Sequence, residues 1–449
     1  MGKNSKKALV TNLGILTIVF VVILGFHKFC FGSDSGDPKD EMNQKLLQRI
    51  EGLERKVEDL TEKLKRSEEK PTAAVSAETE QVIESKVHEL FSKKEKDVGL
   101  QTGLVRMPKI SGHIDTIYNY NFKKPASLTT KIGTPGGAAG NNLSSYVTEA
   151  NSIDFNTAHL VFSGSLQENT GYVIELDAGT DANVNTPLSG AGSSDDFDIQ
   201  EAYLTYSHPG TGISVKAGKF VTLEGIEVIE SPANPTISRG YLFGMAEPFT
   251  HVGALFSRAL PIKGLELRAG VVNGWDLLKD NNEGKTVFGG LGINYGNWAT
   301  GGLSIYFGPE QAANDSNYRT SIDLTLFSKP MEKLNIAWQA NWGQEEGVSG
   351  SRFDHWMGFG IQPVYQFTDK LSLGGRAEYM DNKLWSRFGN RGGNLFNITV
   401  TPGYKLTENA LFRVEYRHDL ANNAFFESDS GAFDEKQLDQ TLAEFVYTF

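Results

Sequence analysis

The chain has 449 residues, of which 39% are hydrophobic, and its mean hydropathy of -0.32 argues against a membrane protein built from apolar helices. Its formal net charge of -12, with no basic cluster among interleaved aromatic residues, argues against a nucleic-acid partner. The single cysteine, Cys30, excludes a disulfide framework. The 48 glycines and the 11% of aromatic residues suit many strands and turns.

Residues 1–32 have the layout of a secretory signal peptide. Three lysines lie within the first seven residues, and residues 8–26 then run without a charge. Small residues at the -3 and -1 positions, Cys30 and Gly32, predict cleavage before Ser33. The apolar run of 19 residues is also long enough for an uncleaved anchor, so that alternative stays open.

Residues 33–66 are predicted to form a periplasmic coiled-coil stalk. Apolar residues recur there at alternating spacings of four and three, with charged residues between them. These residues are Leu46, Ile50, Leu53, Val57, Leu60 and Leu64. Three heptads are marginal alone, so the stalk would depend on a trimer held together elsewhere, and a single amphipathic helix on another surface is the alternative. Residues 67–103 follow as a linker with a weak helix.

Residues 104–449 are predicted to form a barrel of sixteen strands, because sixteen segments alternate at least partly between apolar and polar residues. Segment 152–166 has the least regular alternation. The segments are 110–122, 152–166, 171–180, 197–208, 213–220, 249–259, 265–274, 286–296, 299–307, 319–327, 334–343, 354–367, 371–380, 394–404, 410–418 and 436–449.

The connections between these segments alternate between short and long. Connections such as 167–170 and 209–212 are short, whereas 123–151 and 221–248 are long. Short periplasmic turns and long external loops are typical of outer-membrane barrels. The predicted fold class is therefore an all-β membrane protein, a 16-stranded antiparallel transmembrane β-barrel with a short N-terminal α-helical coiled coil.

The last strand ends in alternating aromatic residues, Phe445, Tyr447 and Phe449. In lipid an unpaired strand edge would leave amide groups without partners, so this strand is predicted to close the barrel. The pattern resembles the C-terminal signal that the barrel-assembly machinery of the outer membrane recognises. An edge strand of a soluble β-sandwich is the alternative.

Sixteen strands enclose more space than side chains fill, so the lumen is predicted to be an aqueous channel unless something plugs it. By strand parity it is lined by nine acidic residues and five basic ones. The acidic residues are Asp115, Glu175, Asp177, Glu201, Glu266, Asp323, Glu378, Glu415 and Glu444, and the basic ones are Lys216, Arg268, Arg376, Arg413 and Arg417.

Connection 221–248 is the candidate constriction loop, because it is one of the two longest and is both charged and stiffened by proline. We expect it to fold into the lumen and to set Glu224, Glu227 and Glu230 across from arginines of the thirteenth and fifteenth strands, which would produce a transverse field. The predicted constriction residues are Glu224, Glu227, Glu230, Arg239, Lys216, Arg268, Arg376, Arg413 and Arg417.

Two runs carry a family resemblance: AGKFVTLEGIEVIESPANPTISRGYLFGMAEPFTHVG (Ala217–Gly253) and VVNGWDLLKDNNEGKT (Val271–Thr286). They resemble the putative beta-barrel porin-2 family and, more distantly, the phosphate-selective porins O and P. The resemblance implies a porin of the Gram-negative outer membrane. Phosphate selectivity would be expected to show a ladder of lumen arginines, which five scattered bases among nine acids do not form.

We expect no catalytic residue, metal site or cofactor, because the eight histidines show no H-x-x-x-H or H-E-x-x-H spacing and Ser163 and His159 have no evident oxyanion hole.

The favoured function is passive diffusion of small hydrophilic solutes and ions through a homotrimer in outer-membrane lipid. Two alternatives stay open: a channel selective for an anion or small nutrient, and a structural tether to the cell wall through the coiled coil.

Overall fold

The computed structural model describes residues 108–126, 145–147, 149–185, 196–296, 298–348, 351–382 and 392–449. The predicted signal peptide, coiled-coil stalk and linker lie outside the described residues. In the described part of the chain, no helix is long and apolar enough to cross a membrane.

Sixteen antiparallel strands form one closed barrel, so the predicted strand count is confirmed. The strands are β1 Lys109–Asn121, β2 Ser152–Gln167, β3 Thr170–Ala178, β4 Phe197–Ser207, β5 Ile213–Val221, β6 Thr250–Ala259, β7 Leu265–Val272, β8 Thr286–Asn294, β9 Ala299–Pro309, β10 Tyr318–Met331, β11 Leu334–Glu346, β12 Phe353–Gln366, β13 Leu371–Asn382, β14 Gly393–Lys405, β15 Ala410–Ala421 and β18 Gln437–Thr448. Each predicted segment coincides with one of them.

Five short elements lie in the described parts of the connections. They are helix α1 Thr180–Asn185, a 3-10 turn Ser231–Ala233, a π-helical turn Leu242–Ala246, and strands β16 Phe426–Glu427 and β17 Phe433–Glu435, which pair with each other. We call the end of the barrel with the short turns the inner end, and the end with the long connections the outer end.

The first and last strands close the barrel. β1 pairs with β18 from His113 opposite Thr448 to Asn121 opposite Gln440. The Phe449 amide donates to the Gly112 carbonyl at 3.0 Å, so pairing continues to the final residue. Phe445, Tyr447 and Phe449 point outward, with 47%, 46% and 50% of their surfaces exposed. The closed ladder leaves no strand edge in lipid, as the sequence predicts.

Two β-bulges interrupt the alternation near the outer end. In β2, Asn156 has no partner of its own, because Asp115 pairs with Thr157 and Thr116 with Phe155. In β4, Gln200 is skipped in the same way. The extra residue shifts the outward positions of β2 from odd to even numbers, which explains why segment 152–166 alternates poorly in the sequence.

Candidate functional site

The connection between β5 and β6, residues 222–249, folds into the barrel, and we call it the lumen loop. Its residues Ile237, Tyr241 and Ala246 have no exposed surface. Its backbone contacts strands far from β5 and β6 in the barrel: the Gly225 amide donates to the Asp323 carboxylate at 3.1 Å, and the Ile237 amide to the Glu415 carboxylate at 2.5 Å. Carboxylates of the wall thus accept hydrogen bonds from backbone amides of the loop. These bonds satisfy N–H donors that would otherwise be buried without a partner.

Arg376 of β13 binds the lumen loop most directly. Its guanidinium lies 2.8 Å from Glu227, 3.0 Å from the Thr236 hydroxyl and 2.5 Å from the Ser238 carbonyl. Arg376 and Glu227 are both nearly fully buried, so each charge depends on the other for compensation. This pair fixes the middle of the loop to the wall.

Arg413 and Arg417 of β15 hold the loop through its carbonyl groups. Arg413 donates to the Asn234 carbonyl at 2.6 Å, and Arg417 donates to the Arg239 carbonyl at 2.8 Å. Their ion pairs are with wall carboxylates instead: Arg413 with Glu444 at 2.5 Å and Arg417 with Asp419 at 2.8 Å.

The geometry therefore differs from the facing arrangement we expected. Among the ion pairs of the described residues, Glu227 is the loop glutamate that meets one of these arginines, and it does so in contact and not across open water. Glu224 accepts from the Ser321 hydroxyl at 3.1 Å, and Glu230 accepts from the Gln200 amide. Charges that are paired in contact produce little field across a lumen.

The remaining predicted constriction residues fall into two groups. Arg239 lies within the loop and braces it, donating to the Val228 carbonyl at 3.1 Å and the Ile237 carbonyl at 2.7 Å. Lys216 and Arg268 lie on the opposite wall and form no ion pair with the loop among the described residues. Lys216 lies 4.2 Å from the centre of the Tyr203 ring, and Arg268 pairs with Glu266 at 2.7 Å.

The charged residues predicted to line an aqueous channel are mostly buried, which corrects that expectation for these side chains. Asp115, Glu415 and Arg417 have no exposed surface, and Asp323 and Glu444 have 1% each. The lumen loop fills the space in front of them. The sequence allowed for a plug, but the alternation of inward and outward residues could not show how completely this loop occupies the lumen.

An aromatic cluster in the lumen, near the outer ends of β5 to β9, was also missed from the sequence. The rings of Phe288 and Tyr306 stack at 4.9 Å, and those of His251 and Tyr306 at 5.0 Å, with Phe220 beside them. These residues face inward, so the alternation along their strands would have predicted their position in the lumen. The predicted lining included charged residues only and therefore omitted them. They leave this part of the wall apolar and buried.

The lumen is accessible to solvent at the inner end. A cavity of about 400 Å³ lies beneath the loop there, lined by Ile226, Ala233 and Pro235 of the loop and by Phe327, Asn335 and Gln362 of the wall. On the β7 wall of the lumen, Glu266 and Arg268 each keep about a third of their surface exposed. The polar lumen thus continues from the inner end up to the loop.

Glu247, near the end of the lumen loop, is a buried carboxyl without a cationic partner in the described ion pairs. Its Oε2 accepts from the Gln339 amide at 2.6 Å, while its Oε1 has no hydrogen-bond partner. Burial raises the pKa of Glu247 well above its ordinary value, and the nearby Asp323 and Glu224 carboxylates raise it further. Burial and the neighbouring carboxylates therefore favour the neutral, protonated form of Glu247 in the folded protein.

A closed sixteen-stranded barrel with lipid-facing aromatics, a polar lumen and an inserted loop defines an outer-membrane β-barrel of the porin class. The sequence agrees: the family model described as putative beta-barrel porin-2, OmpL-like, matches residues 108–449, so the chain belongs to that family. This confirms the resemblance drawn from the middle of the sequence. None of the curated proteins compared with the chain matches it in sequence.

Solved structures share the fold at low sequence identity. The outer membrane channel DcaP of Acinetobacter baumannii superposes with a TM-score of 0.53 and 11% identity, covering 76% of this chain and 97% of that one. The anion-selective porin from Comamonas acidovorans superposes with a TM-score of 0.50 and 11% identity, covering 76% and 99%. At this identity the likeness concerns the barrel fold alone.

Proposed function

We propose that the protein is an outer-membrane porin that lets small hydrophilic solutes and ions diffuse passively, with the lumen loop as its constriction. The observation that supports this most strongly is one closed barrel with a polar wall, in which the lumen loop is held inside by side-chain contacts. A loop held in this way can shift without opening the barrel wall. The cavity beneath it supplies the inner entrance.

The burial of charged side chains around the lumen loop implies a small bore. Because Asp115, Glu415 and Arg417 are fully enclosed, solutes pass only as the loop and its neighbouring side chains move aside. We expect small, fluctuating single-channel currents in planar bilayers from the purified, heat-modifiable oligomer. Conductance no greater than that of a protein-free bilayer, over repeated insertions, would contradict the porin proposal.

The role of the loop glutamates is tested by a triple Glu→Gln variant at Glu224, Glu227 and Glu230. Three exposed glutamates of the inner turns, changed together in the same way, give a control with the same change in net charge: Glu168, Glu332 and Glu408. If the glutamates shape the constriction, conductance and cation preference change in the loop variant and stay at the wild-type level in the control. Equal conductance and equal cation preference in the two variants would show that these glutamates do not shape the constriction.

We propose no anion selectivity, although one structural neighbour is described as anion-selective. Among the charged residues that strand parity predicts to face the lumen, acids outnumber bases by nine to five, and Arg376, Arg413 and Arg417 are each already paired with a carboxylate. A free ladder of cationic groups is what an anion path would use.

We also propose that the chain assembles as a homotrimer and that residues 33–66 form its periplasmic stalk. Deleting residues 42–66 separates a tether from a spacer. If the stalk holds the membrane to the cell wall, the deletion increases shedding of outer-membrane vesicles while single-channel conductance is retained. Unchanged shedding would leave the stalk without a tethering role.

A further inference from the structure

Two histidines and two carboxylates meet where β1, β2 and β3 face the lumen loop, and the proposed porin function gives them no role. We call His113, His159, Glu175 and Glu230 the histidine–carboxylate cluster. The His159 Nε2 atom lies 4.0 Å from Glu175 Oε2. One ligand atom from each of His159, Glu175 and Glu230 lies within 4.8 Å of the other two.

His113 completes the cluster. Its ring centre lies 5.0 Å from that of His159, and only 6% of its surface is exposed. Its Nε2 atom has no hydrogen-bond partner, and it lines a small cavity together with His159 and Glu230. A buried imidazole nitrogen without a partner costs free energy unless something binds it, so this atom points to a missing ligand.

Asp177 orients His159 for ligation. Its carboxylate lies 2.7 Å from His159 Nδ1, and the Thr157 hydroxyl lies 3.4 Å from the same oxygen. When Nδ1 carries the proton, Nε2 is left as a lone-pair donor facing the cavity. Carboxylate, histidine and metal in this order form the usual outer-shell arrangement of metal sites in proteins.

Gln200 occupies the position between the two carboxylates. The bulge in β4 directs its side chain there, and its amide nitrogen donates to Glu175 at 3.1 Å and also to Glu230. Its Oε1 has no hydrogen-bond partner. Rotating the amide by half a turn would present this oxygen to a cation between the carboxylates, since the two ends of an amide have nearly the same shape.

The charges around the cavity favour a cation. No lysine or arginine in the described part of the chain forms an ion pair with Glu175 or Glu230. Two imidazole nitrogens with carboxylate oxygens form a ligand set that suits borderline dications such as Zn²⁺ better than Ca²⁺ or Mg²⁺, which take oxygen ligands.

We propose that His113, His159, Glu175 and Glu230 bind one divalent transition-metal ion, with Gln200 able to add an oxygen. Zinc lies about 2.0–2.2 Å from nitrogen and oxygen ligands, which sets an upper limit of about 4.4 Å between two ligand atoms. The ligand atoms of His159, Glu175 and Glu230, which lie within 4.8 Å of one another, would have to approach by about 0.4 Å at most to meet that limit. The cluster was invisible in the sequence because its residues are separated by 46, 16 and 55 positions along the chain.

Bound metal would also anchor the lumen loop, an effect on conduction that rests on the proposed porin function. Glu230 belongs to the loop, whereas the other three ligands belong to strands β1 to β3. The ion would therefore tie the loop to this wall in addition to the arginines of β13 and β15. In bilayers, zinc should reduce current fluctuations in the wild type and not in Glu230→Gln.

Zinc binding is measured by dialysis, which does not depend on channel activity. The metal-site proposal and the porin proposal can therefore fail separately. The full chain, purified without a polyhistidine tag and treated with chelator, is dialysed against ZnCl₂ in detergent. We expect one zinc per chain that excess Mg²⁺ and Ca²⁺ do not displace, and an affinity at least about tenfold weaker in His159→Gln and Glu230→Gln. His208→Gln, in an exposed inner turn, is the control and should bind as the wild type does.

A second measurement covers the case in which a variant fails to fold, which a lost heat-dependent shift in gel mobility would reveal. Cobalt(II) added to the wild type should give visible absorption bands of a low-coordinate site with nitrogen ligands, and zinc should abolish them. The proposal is overturned if the wild type binds no zinc above the detergent blank, if the two cluster variants bind as tightly as His208→Gln, or if Ca²⁺ binds in place of zinc.

Discussion

The position of the lumen loop against the wall depends most on the Arg376 side chain. Arg376→Met removes its contacts with Glu227, Thr236 and Ser238 and leaves Glu227 buried without its cation. Breaking a buried ion pair on one side costs about 3–5 kcal/mol. We expect a loss of that size in the free energy of unfolding, measured by urea titration in detergent, together with noisier single-channel currents.

Arg268→Met is the matched control for this variant. Arg268 and Glu266 form their pair about a third exposed, where ion pairs contribute about 0–1 kcal/mol. Adding Glu227→Gln to Arg376→Met should restore part of the lost stability, because no uncompensated charge then remains buried. Equal losses in the two arginine variants would show that Arg376 does not hold the loop.

Glu247 predicts a pH dependence. Its pKa is raised by burial, so between its ordinary pKa and the raised one the folded state holds a proton that the unfolded state has released. The free energy of unfolding therefore falls as pH rises through this window. The stability that Glu247 contributes is fully present below its ordinary pKa and is lost as the folded pKa is passed.

Glu247→Gln removes this titration, and we expect its urea stability to fall less than that of the wild type between acidic and neutral pH. Glu408→Gln, at an exposed inner turn, should follow the wild-type curve. Parallel curves for Glu247→Gln and the wild type would mean that Glu247 is ionised in the folded protein and that its surroundings differ from those described.

Among the strands, β13 shows how closely the loop is fitted to the wall. A Cβ added at Gly374 would lie 2.2 Å from the Pro235 carbonyl oxygen, whereas at the adjacent Gly375 the nearest atom would be 3.5 Å away. Gly374→Ala should push the loop from the wall at a cost of about 1–3 kcal/mol, and raise current noise. Gly375→Ala is the control, and identical noise and stability in both variants would contradict the fit.

The strands could be predicted from the sequence, and the bulges could not. Alternation in segments such as 334–343 fixes both the strand and its outward face, because side chains on a strand repeat every two residues. A bulge adds one residue with no periodic signal of its own, so Asn156 and Gln200 became visible only in the pairing of β2 and β4. Gln200, which the bulge in β4 brings to the histidine–carboxylate cluster, was missed for that reason.

At the scale of the whole molecule, the sequence predicts a closed barrel but not what fills it. The count of strands and the short inner turns follow from local patterns, whereas the path of the lumen loop depends on contacts between residues more than a hundred positions apart, such as Glu227 with Arg376. Loop charges indicate that it meets polar surroundings. They cannot indicate which wall residue each will meet.

The measurement that tests the account most directly is the single-channel conductance of a barrel without its lumen loop. Val221 and Thr250 are direct partners in the β5–β6 ladder, so a two-residue Asn-Gly turn can replace residues 222–249 without disturbing the strands. If the loop sets the bore, the shortened protein conducts several times more current than the wild type, with less fluctuation. Equal conductance in the two, with the barrel shown to be intact by its heat-dependent gel mobility, would contradict the account.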